Sequence, residues 1–266
     1  MLYNTEAIVV KVFSYGENHA IVNLLTPTGL VAALARGAKK PQSRLAAAIQ
    51  LCSQGVFSLY QKTGMATVQQ AELTESRRAL RENLVLAAYA AYFCELVQAV
   101  AQERPNGSEG MYRSFEAVLT RLAVRPEESE LTSLLWESKI LDWLGASPQW
   151  DVCVHCRSVG EAVVAYSPKD GGLICRNCVP TYTNHILVVP PALPRILESF
   201  RMTPVAKVGA IRLSTAVKEA AKKVLRWQMS DYGGLKLKSQ AFLESLEADN
   251  LLGDILNRSS AEDNLP

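Results

Sequence analysis

The sequence predicts an α+β multidomain protein: a small N-terminal β-barrel or sandwich, an all-helical domain and an inserted knuckle that binds a metal ion. Three observations predict this class. Short Val- and Ile-rich segments recur at regular spacing in the first 72 residues, a helical period follows them, and four clustered cysteines interrupt the helical part. A chain of 266 residues is long enough for two or three modest domains.

Residues 1–72 read as five strands that are separated by polar or glycine-containing turns. Short strands at such even spacing are typical of a small barrel or sandwich, so we assign residues 1–72 to one β domain. The predicted strands are Thr5–Phe13, Ala20–Thr26, Leu30–Ala35, Gln54–Tyr60 and Met65–Glu72.

From residue 73 onwards the apolar residues follow a helical period. We expect a helical domain over residues 73–150 and 181–257, and a polar, frayed tail over residues 258–266. Ser214 is a plausible N-cap for the best late helix. The predicted helices are Glu75–Gln102, Glu109–Ala123, Glu127–Leu144 and Ser214–Met229.

No segment predicts a membrane span or a secretory signal. The most apolar run, Val85–Val100, contains Tyr89, Glu95 and Gln98, which is the pattern of a buried helix. The first residues have neither a charged start nor a long apolar stretch after it. We therefore expect a cytoplasmic protein without a membrane partner.

Four of the six cysteines form two Cys-x-x-Cys pairs that are separated by 18 residues. This spacing is typical of a tetrahedral four-cysteine zinc site. We predict one structural zinc ion in a knuckle over residues 151–180. Four protein ligands close the site, so the ion is expected to stabilise the fold and not to catalyse. The predicted ligands are Cys153, Cys156, Cys175 and Cys178.

Three alternatives to this zinc site stay open. The four thiols could lack a metal, or they could hold an iron–sulfur cluster, although the usual cluster spacings differ. His155, which lies between two of the cysteines, could replace one thiolate, although a solvated histidine is the simpler interpretation.

Charge is unevenly distributed along a chain whose net charge is only +2. Residues 1–71 carry six basic and two acidic side chains, and residues 207–238 carry eight basic and two acidic side chains. Residues 83–150 carry five basic and nine acidic side chains. Two basic regions around an acidic one indicate a polyanionic partner.

Each basic region contains a candidate binding element. The first is a loop that includes Arg36, Lys39, Lys40 and Arg44, and the second is a helical stripe with spacing i, i+4, i+8 formed by Lys218, Lys222 and Arg226. The alternative for both elements is a solvated surface that binds no ligand. For the stripe, the spacing of the cations agrees equally well with this alternative and with DNA contact.

Motifs of catalysis are missing. The chain has three histidines and contains no G-x-S-x-G, H-E-x-x-H or phosphate-binding Walker sequence. The acidic group Glu127, Glu128 and Glu130 fits the first turn of a helix, where carboxylates are favoured. We expect no enzymatic activity.

Several stretches together resemble the RecO family of recombination mediators. The basic loop Arg36-Gly-Ala-Lys-Lys-Pro-Gln-Ser-Arg44 is the most specific of them, although Arg36 stands where lysine is commoner in the family. The similarity extends over nearly the whole chain. The other stretches are Glu6–Val10, Tyr15–Glu17, Leu24–Thr26, Leu144-Gly145 with Pro148, Gly171–Cys175 and Leu237–Leu243.

This resemblance implies an N-terminal OB-fold, a helical domain and an inserted zinc knuckle. It also implies binding of single- and double-stranded DNA and annealing of complementary strands. The implied partners are RecR, the acidic C-terminal tail of single-strand-binding protein and, indirectly, RecA, in a nucleoid-associated cytoplasmic protein. An OB-fold binds single strands with basic and aromatic side chains. The aromatic candidates are Phe13, Tyr15, Phe57 and Tyr60, of which strand alternation predicts at least half to be core.

Two other classes of function stay open at this point. The chain could be an adaptor in which the helical domain and the zinc knuckle bind proteins without direct DNA contact. It could also be a zinc enzyme. The positive charge of the first 71 residues argues against the adaptor, and the closed four-cysteine site argues against the enzyme.

Overall fold

The computed structural model describes residues 1–103, 109–159 and 162–248. The predicted tail over residues 258–266, and the end of the predicted helical domain, lie outside these residues. The chain divides into two compact units: residues 1–129 with the segment from Leu237, and residues 130–236.

The first unit begins with a closed five-stranded barrel, which confirms the predicted β domain. The strands are hydrogen-bonded in the order β1-β2-β3-β5-β4, with β1 again beside β4 and a parallel pairing of β3 with β5. This is an OB-like arrangement. The strands are β1 (Leu2–Tyr15), β2 (His19–Thr26), β3 (Gly29–Ala35), β4 (Gln54–Tyr60) and β5 (Ala66–Glu75).

Side chains of alternating strand residues fill the barrel. They are mostly Ala, Val and Leu, with Phe57 as the largest, and all of them are buried. Gly55 allows the close approach of β4 to β5, because a Cβ atom at this position would lie 2.2 Å from the carbonyl oxygen of Glu72. A larger residue at this position would push the two strands apart.

The helical part of the first unit starts later than the sequence predicts. The expected helix from Glu75 is wrong at its start, because β5 stays paired with β4 as far as Glu75 and the backbone then turns at Arg77, where φ is +42°. The Arg77 guanidinium donates to the carbonyl oxygen of Cys52. After the short helix α1 (Ala79–Glu82), the Asn83 side chain accepts hydrogen bonds from the first amides of α2 (Leu84–Glu103).

Two more helices belong to the part of the first unit that the structure describes. Helix α3 (Glu109–Val124) agrees with the prediction within one residue, and α7 (Lys238–Ala248) is the last described element. The Glu95 carboxylate of α2 accepts hydrogen bonds from the backbone amides of Lys238 and Ser239 and from the Ser239 hydroxyl. Glu95 thus caps α7 and holds it against α2.

The second unit combines three helices with a small sheet. Helix α4 (Ser129–Leu144) and helix α6 (Thr215–Asp231) confirm two predicted helices, and α5 (Leu193–Met202) lies between them in sequence. Ser214 is the N-cap of α6, since its hydroxyl accepts a hydrogen bond from the Val217 amide. The sheet was not predicted and consists of β6 (Val163–Ser167), β7 (Gly172–Cys175) and β8 (Leu187–Val188), in the order β7-β6-β8.

Candidate metal centre and nucleic-acid surface

The four clustered cysteines are held by two hydrogen-bonded turns. In the first turn, the amide of Arg157 donates to the carbonyl oxygen of Cys153, and Arg157 itself has a φ of +62°. In the second, the amide of Cys178 donates to the carbonyl oxygen of Cys175. The two turns meet through the sheet, because the Val154 amide donates to the carbonyl oxygen of Leu173.

The structure brings all four predicted ligands together. Their Sγ atoms lie within 4.8 Å of one another, and those of Cys156 and Cys175 are 3.8 Å apart. A tetrahedral ion with metal–sulfur distances of about 2.3 Å requires sulfur–sulfur distances of about 3.8 Å. The four thiols therefore fit one tetrahedral metal ion.

Hydrogen bonds and burial act on these thiols in opposite directions. The Ser158 hydroxyl and amide stabilise the Cys156 thiolate and lower the pKa of Cys156 to about 6. Burial, together with the other thiols, raises the pKa of Cys178 to about 12. Thiolates so close together repel one another, and a bound dication removes this penalty. The thiol groups thus form a site that could hold a metal ion.

His155 is exposed and is not part of the sulfur cluster. Its ring lies against Tyr182 in an edge-on contact with a centroid distance of 5.8 Å. The four sulfur atoms alone provide a complete tetrahedral ligand set. His155 is therefore not needed as a ligand.

The sheet of the cysteine knuckle packs against helix α6. The Tyr166 hydroxyl donates to Oε1 of Gln228 at 2.5 Å, and the Tyr232 hydroxyl donates to the carbonyl oxygen of Lys169 at 2.6 Å. Gly171 has a φ of +61°, and a Cβ atom there would lie 2.4 Å from the Tyr232 ring. Sequence reasoning missed these contacts, because single tyrosines carry no motif.

The basic loop follows β3 and lies next to the β1–β2 turn. The Gly37 amide donates to Nδ1 of His19 at 2.9 Å, and the Lys39 amide donates to the carbonyl oxygen of Asn18 at 3.1 Å. Gly37 has a φ of +66°, a conformation that favours glycine. The side chain of Ala38 is buried in the barrel core. The loop is therefore anchored by its backbone.

All four predicted cations of the loop are exposed. Within the described residues none of them forms an ion pair, and the ammonium group of Lys39 donates a hydrogen bond to the Ser14 hydroxyl. The loop thus presents uncompensated positive charge at one end of the barrel. The four residues are Arg36, Lys39, Lys40 and Arg44.

The predicted aromatic residues behave differently from the expectation. Only Phe57 is buried, whereas Phe13, Tyr15 and Tyr60 are exposed, so the expectation that at least half would be core is wrong. The second half of β1 pairs with β2 but not with β4, and Tyr60 ends β4. Strand alternation predicts burial only where the barrel closes around the strand.

The basic stripe on α6 is partly compensated within its own unit. Nζ of Lys218 and Nζ of Lys222 lie 2.7 and 2.5 Å from the carboxylate oxygens of Glu130, and the Lys222 side chain is only 14% exposed. Arg226 is half-buried. DNA contact by the stripe stays a prediction, and its ion pairs make it a weaker candidate than the loop.

Helix α2 is long and apolar enough to span a membrane by length and composition. However, 72% of its most apolar 18-residue window is buried within the protein. Such burial is typical of the core helix of a folded domain, so this helix is no argument for a membrane span.

Comparison with known proteins decides the family. The sequence model named Recombination protein O N terminal matches residues 1–77, and that named Recombination protein O C terminal matches residues 81–241. The chain belongs to the RecO family. The RecO matches meet at the border between the barrel and the helices.

RecO proteins of several bacilli are similar to this chain over nearly its full length. The DNA repair protein RecO of Bacillus pumilus is 36% identical over 252 residues, with 93% of this chain and 96% of the relative covered. That of Bacillus subtilis is 35% identical over 259 residues, with 96% and 99% covered. Membership of the RecO family identifies the chain as a DNA repair protein.

Proposed function

We propose that this protein binds single- and double-stranded DNA and anneals complementary strands. We further propose that, together with RecR, it helps to load RecA onto DNA that is coated with single-strand-binding protein, whose acidic C-terminal tail it contacts. This role places it in the cytoplasm, in association with the nucleoid. Membership of the RecO family supports the proposal.

The exposed basic loop carries the DNA-binding part of this proposal. Lys39, Lys40 and Arg44 would contact phosphates without reading the base sequence, and Arg36 adds charge beside them. Cations without carboxylate partners can release counterions from DNA, which makes binding strong at low salt and weak at high salt. The stripe of Lys218, Lys222 and Arg226 is a second proposed contact.

We also propose that the ion held by the four cysteines is zinc. Thiolate ligands in a closed tetrahedral arrangement suit this ion, which has no redox chemistry of its own. The ion would stabilise the fold of residues 151–180 locally. We expect no nuclease, helicase or ATPase activity.

Titration of a fluorescent oligonucleotide with the full-length protein at several salt concentrations tests the proposal. We expect binding that weakens steeply with salt, and an accelerated annealing of complementary strands at low salt. Neutralisation of three phosphates on a single strand predicts a slope of log K against log salt of about −2.

The alternative is a protein–protein adaptor that is stabilised by zinc and does not contact DNA directly. Such an adaptor would bind no oligonucleotide at low salt but would still bind a purified protein partner. The same preparation can be tested with RecR and with a peptide that corresponds to the tail of single-strand-binding protein. Binding of both DNA and these partners would support the mediator role.

A further inference from the structure

Two aromatic side chains lie exposed near the end of β1. Phe13 is 43% exposed and Tyr15 is 54% exposed. They are two residues apart in a strand, so both project from the same face, and their Cα atoms are about 7 Å apart. Across the sheet they face Ile21 and His19 of β2. We name Phe13 and Tyr15 the aromatic platform.

The aromatic platform is bordered by positive charge. Nζ of Lys11 lies 4.7 Å from the centroid of the Phe13 ring. Lys39 donates to the hydroxyl of Ser14, which stands between the two aromatic residues in the strand and therefore faces the other side of the strand, so this ammonium group lies behind the platform at the same end of the barrel. The basic loop is also tied by Gly37 to His19, the cross-strand partner of Tyr15. Rings and cations therefore occupy one end of the barrel.

This combination fits a ligand that carries negative charge and also presents flat apolar faces. A single DNA strand has both, since its phosphates are charged and its unpaired bases can stack on aromatic rings. A duplex keeps its base faces within its own stack and offers only the phosphates and the groove edges. An acidic peptide would satisfy the cations but would leave the rings exposed.

We propose that Phe13 and Tyr15 stack unpaired bases of a single DNA strand while the basic loop holds the neighbouring phosphates. This inference rests on the proposed DNA binding and adds the groups that distinguish a single strand from a duplex. The loop supplies affinity for either form of DNA, and the platform favours the single strand.

The double variant Phe13→Leu with Tyr15→Leu tests the platform in the full-length protein. Leucine keeps apolar bulk but has no aromatic face. Tyr60→Leu is the matched control, because Tyr60 is equally exposed, at 46%, but lies at the opposite end of the barrel beside Leu2. Circular dichroism and zinc content report whether each variant is folded.

Binding is measured by fluorescence anisotropy with three probes of equal length. They are an oligothymidylate of about 20 nucleotides, which exceeds the roughly 4–16-nucleotide site of an OB-fold, the same strand with abasic sites, and a duplex. We expect the double variant to bind the oligothymidylate at least about thirtyfold more weakly, because stacking on each of the two rings contributes a factor of about five or more. Affinity for the duplex and the salt slope should not change, since the phosphate contacts remain.

The abasic strand completes a thermodynamic cycle. Wild-type protein should lose the same factor on the abasic strand as the double variant loses on the normal strand, and the double variant should lose nothing further. If the double variant is not folded, Tyr15→Leu alone is used, with an expected loss of about fivefold or more.

The stacking proposal is overturned if a folded variant binds the oligothymidylate as tightly as wild-type protein does. It is also overturned if the variant loses as much affinity for the abasic strand and for the duplex as it loses for the oligothymidylate. Such a result leaves the proposed function intact as long as the wild-type protein binds DNA with the expected salt slope. A wild-type protein that binds none of the probes contradicts the proposed function itself.

Discussion

The backbone amide of Gly37 donates a hydrogen bond to Nδ1 of His19 at 2.9 Å. This bond joins the start of the basic loop to the beginning of β2, and the amide of Lys39 adds a second link to the carbonyl oxygen of Asn18. The loop cations are exposed, but the backbone that carries them is fixed. A fixed cation loses less conformational freedom when it binds a phosphate than a cation on a free tail.

Charge reversal in the loop should weaken DNA binding without unfolding the protein. In the Lys39→Glu, Lys40→Glu double variant, we expect lower affinity, slower annealing and a salt slope that is less steep by about 1.4, from about 0.7 per lost contact. Exposed loop substitutions usually change the free energy of unfolding by less than about 0.5 kcal/mol. Anisotropy at several salt concentrations and urea unfolding measure the two effects.

Lys62→Glu is the control for this variant, because Lys62 is equally exposed in the turn between β4 and β5, at the other end of the barrel. It should leave the salt slope almost unchanged. Should the double variant bind with wild-type affinity and slope, the loop is not the site, and the stripe of Lys218, Lys222 and Arg226 becomes the leading candidate.

Removal of one cysteine ligand should abolish zinc binding and disorder the knuckle locally. We expect about one zinc per chain in wild-type protein and a large loss in Cys175→Ser, because ligation contributes on the order of 10 kcal/mol in isolated zinc peptides. The barrel has its own core and should stay folded. Elemental analysis measures the metal, and hydrogen exchange of residues 163–175 and 66–75 compares the knuckle with the barrel.

Cys94→Ala is the control for the zinc experiment, because Cys94 is a buried cysteine that lies outside the sulfur cluster. Its zinc content should equal that of the wild type. Freshly purified, unchelated wild-type protein without stoichiometric metal would refute the zinc assignment.

Glu130 should stabilise the second unit in a pH-dependent way. Burial raises the pKa of Glu130, but hydrogen bonds from Lys218 and Lys222 outweigh it and leave the pKa below its ordinary value. Because the pKa of Glu130 is lower in the folded protein, the ionised carboxylate stabilises the fold at pH values above the pKa of the unfolded state, about 4.3. This stabilisation is lost as the pH falls through the pKa of the folded state. Glu130→Gln should therefore lower the free energy of unfolding by about 1–2 kcal/mol at pH 7, since Lys218 and Lys222 both lose their nearest carboxylate partner.

Urea unfolding at pH 7 and at about pH 3 checks this prediction. The difference in the free energy of unfolding between wild type and variant should be smaller at the lower pH. Glu219→Gln is the control, since the Glu219 carboxylate is more exposed and lies 3.6 Å from Lys222. An equal difference at both pH values would show that the ion pair is not the cause.

Glu95 should be required for the docking of α7. Its carboxylate accepts hydrogen bonds from the amides of Lys238 and Ser239, which would otherwise lack partners at the helix start. Glu95→Ala should lower the free energy of unfolding by about 1–2 kcal/mol, as does the loss of a helix cap. Hydrogen exchange should then become faster at residues 238–241.

Glu95→Gln retains one acceptor oxygen and should have a smaller effect than Glu95→Ala. If both variants exchange these amides at the wild-type rate, α7 is held by its apolar contacts alone.

Much of the fold could be predicted from local pattern. The five strands and three of the four predicted helices agree with the structure within a few residues, because their side-chain periods reflect which face is buried. The start of α2 could not be predicted, since it depends on the pairing of β5 with β4 and on the side chain of Arg77. The sheet of the knuckle could not be predicted from the sequence, because its strands are only two to five residues long.

By itself, the sequence determined the N-terminal β domain, as a barrel or sandwich, together with the helical part, the cysteine set and the position of the basic loop. These features depend on spacing along the chain, which sequence shows directly. The tertiary structure decided which aromatic residues are exposed, that Glu130 pairs with the stripe, and that the Sγ atoms of Cys52 and Cys94 are 3.6 Å apart. Each of these depends on residues that are distant in sequence, because exposure and pairing are set by whatever the fold packs against a side chain.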